Sequence, residues 1–588
     1  MISVFQKQHV IDVAMGRKKA ELVISGGKIV NVFTGEIYSA DIAVSQGIIC
    51  GIGKYRGEKT ISIKGAYVCP GLIDAHVHIE SSRATPREVI RHALAHGNTA
   101  FIAEPHDIAN VFGTPGIGYM LFETENVPFG AYFAAPACAP AEKWDDGGAV
   151  IDVADLQKLA CLPRMVALGE MMDVQAILSG GKDELEKIET FGYKPSDGHL
   201  MKSDYKSANA YFAAGIMSNH GCESAQDAVD QLRLGAYVGV QQGSFRKNAA
   251  EILRGIKEAD VSTRRVLLCS GEKYIEDIAE RGLTIELLRL AVSSGIDPVE
   301  AVQMATINTA DAYGLRHAGA VAPGRYADIV CFSNLENFAV EKVFYHGELV
   351  SEKGSLPEVM PLNCDEFLKR SMAMRYVTES EIGLKVGKTA RVINIAKNGR
   401  DAFQTIEEVP RDDGFFLPTK KYAKLCAIER RRTSGEIGMG IVSGFGISGG
   451  CIAATVSHDS HNVIAATDND ADLLIAIDAL NKMGGGLVVV SNEMITARMP
   501  LAIGGIMSDE PFETLREQSA QINEAAHKLG VPKELDAFET LCNLSNTALG
   551  GIRLTAGGIF DAQRREFVGI NARKKDADVK KRKKGGAK

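Results

Sequence analysis

The sequence predicts an α/β protein: a (β/α)8 barrel of the TIM type, a composite β-sandwich drawn from both flanks, and a C-terminal α+β domain. Three observations predict it. From Gly71 onward, short apolar runs alternate with helical stretches, the pattern of a parallel sheet. On either side of that region, apolar and polar residues alternate between Gly turns, as antiparallel strands require. Ligand-type polar residues close successive apolar runs, and a barrel carries its active site at the C-terminal ends of its strands.

Taken in order, "ELVISGGKIVNVFTGE" and "DIAVSQGIICGIG" read as antiparallel strands with Gly turns. After the barrel, "GAVAPGRYADIVCFS" and "VEKVFYHGELV" return to the same alternation, so residues 1–70 and 316–360 are expected to form one composite domain. The barrel is expected over 71–315, with strands "GLIDAHVH", "NTAFIAEPH", "GAYFAAPAC", "MVALGE", "PSDGH", "AGIMSNH", "AYVGVQQG" and "VLLCSG". A charged, irregular stretch near 352–385 leads to the third domain, 385–572, with strands such as "ARVINIAK" and "KLCAIERR" and helices near 471–483 and 511–529. Its segments "GISGG" and "MGGGL" fit neither GxGxxG nor GxxxxGK[ST] and read as turns.

At 588 residues the chain is too long for one core. It has no apolar run long enough to span a membrane, and its start lacks the apolar centre of a signal peptide, so a cytoplasmic location is expected. The eleven cysteines include no CxxC pair, which argues against a zinc knuckle and a disulfide framework. The tail 573–588 carries +7 and the remainder −15. Such a tail reads as a solvated, disordered end, with nucleic-acid binding the weaker alternative. The expected partners are a small-molecule substrate and further copies of the chain, not a membrane.

"DAHVH" places His76 and His78 two apart at a strand end, on one face. With Glu170, His199 and His220 from other strands they make an N/O ligand set of the kind that binds zinc, manganese or iron. Of the seven histidines between 71 and 315, five occupy strand ends, counting His106; His92 and His96 fall in a helix and read as structural. Glu170 ends a buried strand and needs a cation or donors: it could bridge two ions or, without metal, pair with an arginine. A metal here would activate water for attack on an electrophilic carbon, with Glu272 and His106 as candidate proton-handling groups. "TVSHDSHN" gathers His458, Asp459 and His461 and reads first as a polar turn or an active-site wall, with metal binding the weaker alternative.

"PGLIDAHVHIESS" resembles the first-strand signature of the amidohydrolase superfamily. With "EPHDIANVFG", "ALGEMMD", "DGH", "NAYFAAGI", "ATINTADAYGL", "GAVAPGRYADIV", "TVSHDSHN" and "MPLAIGGIMS", the chain is similar to its adenine deaminase family over about residues 20–570. The resemblance implies ligation by His76, His78, bridging Glu170, His199 and His220. It also implies two divalent ions, manganese or iron with zinc a further option, and hydrolysis of adenine to hypoxanthine and ammonia in purine metabolism. Candidate substrate contacts are Ser270, Gln241 and Glu104. Three departures stand out: the family's strand-eight "CTDD" reads "CSGE" around Gly271, its strand-six "DHE" reads "NHG" at Gly221, and its strand-seven "REGS" reads "QQGS" at Gln241 and Gln242. They leave two alternatives open: an amidohydrolase of another heterocycle or cyclic amide, and a non-catalytic metal- or ligand-binding relative.

Overall fold

The computed structural model describes residues 3–572 apart from 143, 146 and 363. The basic tail 573–588 lies outside the described residues. The chain divides into two compact units, one of Met1–Pro105, Tyr119–Ala137 and Asp152–Leu362, the other of His106–Gly118, Cys138–Ile151 and the described part of Asn363–Lys588. Two segments within the stretch read as barrel, 106–118 and 138–151, thus pack with the C-terminal unit.

In the first unit, eight parallel strands follow one another in chain order: Leu72–His78, Asn98–Ala103, Gly130–Ala135, Met165–Met171, Ser196–Gly198, Ser218–Asn219, Tyr237–Gln241 and Val266–Cys269. Beyond Ser270, the short strand Gly271–Glu272 pairs in parallel with the first strand, Gly271 opposite Val77 and Glu272 opposite His78. The intervening helices bury one apolar stripe. Ala249–Glu258 buries Ala249, Ile252, Leu253 and Ile256, the i, i+3, i+4, i+7 spacing of an amphipathic helix. Thr85 caps Pro86–Ala95, with Pro86 in its first turn. On that helix His92 lies 3.3 Å from Glu88, and the following His96 bonds the Ala279 carbonyl at 2.8 Å.

Strands from both flanks join a second sheet in this unit. Ile329–Phe332 pairs antiparallel with Tyr67–Pro70, which continues through Ala20–Val30 to Ile37–Ser45 and Ile48–Ile52. The apolar side chains of both flanks share a core that includes Ile24, Ile42, Val68, Ile329 and Phe344. The other unit is built on an eight-stranded sheet in which Tyr422–Ile428, buried throughout, lies between Ile437–Ser443 and Val463–Thr467. Helix Asp470–Lys482, capped by Asn469, packs Leu473, Ala476, Ile477 and Leu480 into the same core as Cys451 and Val488. Beyond the strand Glu348–Glu352, the described residues of the stretch read as irregular form the 3₁₀ turns Glu366–Lys369 and Glu379–Glu381. No helix of the described residues is long and apolar enough to cross a membrane. None of the eleven cysteines forms a disulfide, and nine of them are buried.

Asp328, just before the strand Ile329–Phe332, accepts the His346 backbone N–H at 2.8 Å. Burial pushes its carboxyl up to about 7, against ~3.9 in an unfolded chain. The fold therefore favours the protonated form. The stability this carboxyl allows is full below pH ~4 and is lost as the pH rises toward 7. Asp328→Asn is expected to leave the thermal midpoint unchanged near pH 4 and to raise it relative to wild type at pH 8; equal midpoints at pH 8 would contradict this assignment.

Candidate metal centre

The first barrel strand delivers two imidazoles because its pleat turns alternate residues the same way. The Nε2 atoms of His76 and His78 lie 3.0 Å apart. Both face Oε1 of Glu170, on the fourth strand, at 3.1 Å from His76 and 3.0 Å from His78. His220, just past Ser218–Asn219, places Nε2 3.5 Å from the same oxygen and stacks on His76 with ring centroids 3.9 Å apart. His199, just past Ser196–Gly198, meets Oε2 through Nδ1 at 2.5 Å. The ligand atoms of His76, His78, Glu170 and His220, all buried, lie within 4.8 Å of one another.

The outer hydrogen bonds show what this cluster takes. His78 Nδ1 lies 3.0 Å from the Glu104 backbone oxygen. A carbonyl only accepts, so that nitrogen carries the proton. His76 Nδ1 lies 2.9 Å from the Asp197 carboxylate, an acceptor as well. In their neutral forms both rings turn their Nε2 lone pairs toward Glu170 Oε1, so that three electron-rich atoms converge. Buried, such a set needs protons or a cation between its members. Imidazole nitrogens and a carboxylate oxygen, with a second carboxylate orienting one ring from behind, fit a divalent transition metal.

The electrostatics agree. Burial would lower the His76 pKa, yet hydrogen bonds with Asp197 and Glu170 push it up to about 10. Burial lowers His220 to about 4, and the neighbouring His76 adds to the effect. For Glu170, burial is outweighed by the imidazoles of His220 and His199, which hold the carboxyl well below the usual carboxylate range. Asp197 is held low against burial by the imidazole of His220, 3.7 Å away, and by its hydrogen bond with His76.

Two residues here were not singled out from the sequence. Asp197 in "PSDGH" precedes His199 by two, and Asp74 in "DAHVH" precedes His76 by two; period two was the available signal for both. Asp74 is fully buried and accepts the Ser270 N–H at 3.1 Å, the His76 N–H at 3.2 Å and the Thr284 hydroxyl at 3.2 Å. It ties the first strand to the end of the eighth.

Glu104 is buried, with Oε2 3.6 Å from His78 Nδ1. Ser270 Oγ is buried without a hydrogen-bond partner among the described residues. Gly271 has φ +61°, and a Cβ there would lie 1.8 Å from the amide nitrogen of Gln241, so the strand-seven carboxamide occupies the space of a strand-eight side chain. Gln241 Oε1 accepts from Arg246 at 3.3 Å. At Gly221 a Cβ would lie 2.9 Å from the Leu200 carbonyl oxygen. Glu272 is half-buried, and its carboxylate makes no hydrogen bond or ion pair with the described residues. The structure does not bring it into the histidine cluster. His106 opens the helix His106–Phe112 in the other unit, 3.1 Å from Asp107 and 3.8 Å from Asp459.

Residues 67–200 and 243–350 match the Amidohydrolase family model, and residues 403–566 match the Adenine deaminase C-terminal domain. The barrel is that of an amidohydrolase. Adenine deaminases of Nitratidesulfovibrio vulgaris (strain DP4), Geobacillus kaustophilus and Clostridium acetobutylicum are 37%, 39% and 35% identical to it over 95%, 96% and 95% of this chain. The matches cover 98%, 98% and 99% of those proteins. The chain belongs to the adenine deaminase family.

Two substitutions test this geometry. Asp197→Ala frees the His76 ring and is expected to weaken metal binding about 10- to 100-fold, measured by competition with a chelating dye. Gly271→Asp meets both the positive φ and the Gln241 side chain. It is expected to destabilise the barrel by about 2–4 kcal/mol, read from denaturant unfolding, with Gln241→Ala in the same chain recovering part of the loss.

Proposed function

We propose that the protein is a metal-dependent deaminase that hydrolyses adenine to hypoxanthine and ammonia. The near-full-length likeness to adenine deaminases carries this reading, and the ligand-type residues of the barrel are consistent with it. In the reaction a C6–O bond forms, the C6–N bond breaks, and ammonia leaves with protons drawn from water. His76, His78, Glu170, His199 and His220 would hold the metal, two manganese or iron ions or, as a further option, zinc. When bound, the metal supplies Lewis-acid activation of water. Glu170 faces different partners with its two oxygens, Oε1 toward His76, His78 and His220 and Oε2 toward His199, which suits a bridging ligand.

The other roles fall to this chain's own groups. Asp197 keeps a proton on His76 Nδ1, and the Glu104 carbonyl keeps one on His78 Nδ1. With 271 a glycine and the His106 ring engaged by Asp107 and Asp459, Glu272 is the carboxylate we assign to proton transfer. Ser270 Oγ, free to donate or accept, and the Gln241 carboxamide are assigned to the purine edge.

Manganese-loaded protein is expected to release ammonia from adenine and to lose that activity on exhaustive chelation. Ammonia-free incubation of adenine with metal-replete protein would overturn the reading. Glu272→Gln is expected to lower kcat by ~10² to 10⁴ with KM nearly unchanged; full activity would move the proton-handling role elsewhere.

A further inference from the structure

A second set of ligand-type side chains meets inside the unit that contains the C-terminal sheet. His106 and Asp107 open the helix His106–Phe112, and the loop between the strands Gly450–Ala454 and Val463–Thr467 carries His458, Asp459 and His461. All five are buried, with His461 fully so. Three imidazole nitrogens surround a single oxygen, Asp107 Oδ1: His106 Nε2 at 3.1 Å, His461 Nε2 at 3.1 Å and His458 Nδ1 at 3.6 Å. Asp459 Oδ1 lies 3.8 Å from His106 Nε2. Two overlapping triplets, Asp107–His458–His461 and His106–Asp107–Asp459, each bring their ligand atoms within 4.8 Å of one another.

Hydrogen bonding alone accounts poorly for this packing. One carboxylate oxygen offers about two lone-pair sites, so three ring N–H groups cannot all be satisfied at Asp107 Oδ1. Asp459 Oδ2 and His461 Nδ1 are buried and have no hydrogen-bond partner among the described residues. A cation in the middle turns the same crowding into a coordination shell: with bonds of ~2.1 Å, tetrahedral ligands sit about 3.4 Å apart, the spacing found between these nitrogens and Asp107.

We propose that Asp107, His458 and His461 hold a divalent transition-metal ion of their own. Two imidazoles and a carboxylate suit zinc, manganese, iron(II) or cobalt. The ion joins segments that lie 354 positions apart in the case of Asp107 and His461. Its binding energy is thereby folding energy for this unit.

Metal analysis of the full chain tests the assignment in wild type, in His458→Asn/His461→Asn and in His76→Asn/His78→Asn. The first variant is expected to hold one ion per chain fewer than wild type, the second to retain an ion, and the four-fold variant to hold none. Equal metal content in wild type and His458→Asn/His461→Asn overturns the proposal. Should that variant lose its circular-dichroism signature, the deciding measurement is cobalt(II) titrated into metal-stripped, folded His76→Asn/His78→Asn. A visible d–d band rising to one equivalent supports the site, and no band overturns it. None of these readouts depends on deaminase activity.

Discussion

The barrel is organised around one buried carboxylate that would be prohibitively costly alone. Glu170 lies buried near the end of its strand, and the structure answers with imidazoles from three other strands. What makes this a site rather than a salt-bridge network lies behind the rings. Asp197 and the Glu104 carbonyl each accept a hydrogen bond from the far nitrogen and keep a proton there, so the near nitrogens of neutral His76 and His78 point lone pairs inward. The geometry at Glu170 thus depends on two acceptors that never touch it.

The end of strand eight shows a different constraint. Gly271 is required twice over, by a left-handed backbone and by the Gln241 side chain lying where a Cβ would be. Gly221 likewise abuts the Leu200 carbonyl. The departures from the family pattern at strands six, seven and eight are therefore built into local packing, not isolated exchanges: a longer side chain at 271 needs a different residue at 241. Asp74 holds this strand end to the first strand through the Ser270 amide, which places Glu272 opposite His78 by backbone register alone.

Contrast between the two histidine clusters is instructive. In the barrel, parallel strands of matched register bring ligands to a common end, so short motifs suffice to announce them. In the other unit, a helix start and a loop from distant parts of the chain supply the ligands. Asp107 carries no strand-end mark, and "HDSH" alone is indistinguishable from a polar turn. Only the packing of residues 106–118 with the C-terminal sheet gives the motif its carboxylate partner.

By itself the sequence determined the alternation of strands and helices, the pairing of flanking strands and the end of each strand at which ligand-type residues fall. Periodicity and turn chemistry are local, and every strand of a barrel presents the same end, so His76, His78, Glu170, His199 and His220 were legible. Tertiary structure decided what local pattern cannot carry: that Asp74 and Asp197 act on rings and amides far along the chain, that Gln241 fills the space at 271, and that Asp107 belongs with His458 and His461. These depend on which side chains share a volume after the chain has closed on itself, and neighbours in space separated by hundreds of residues leave no mark in a short window of sequence.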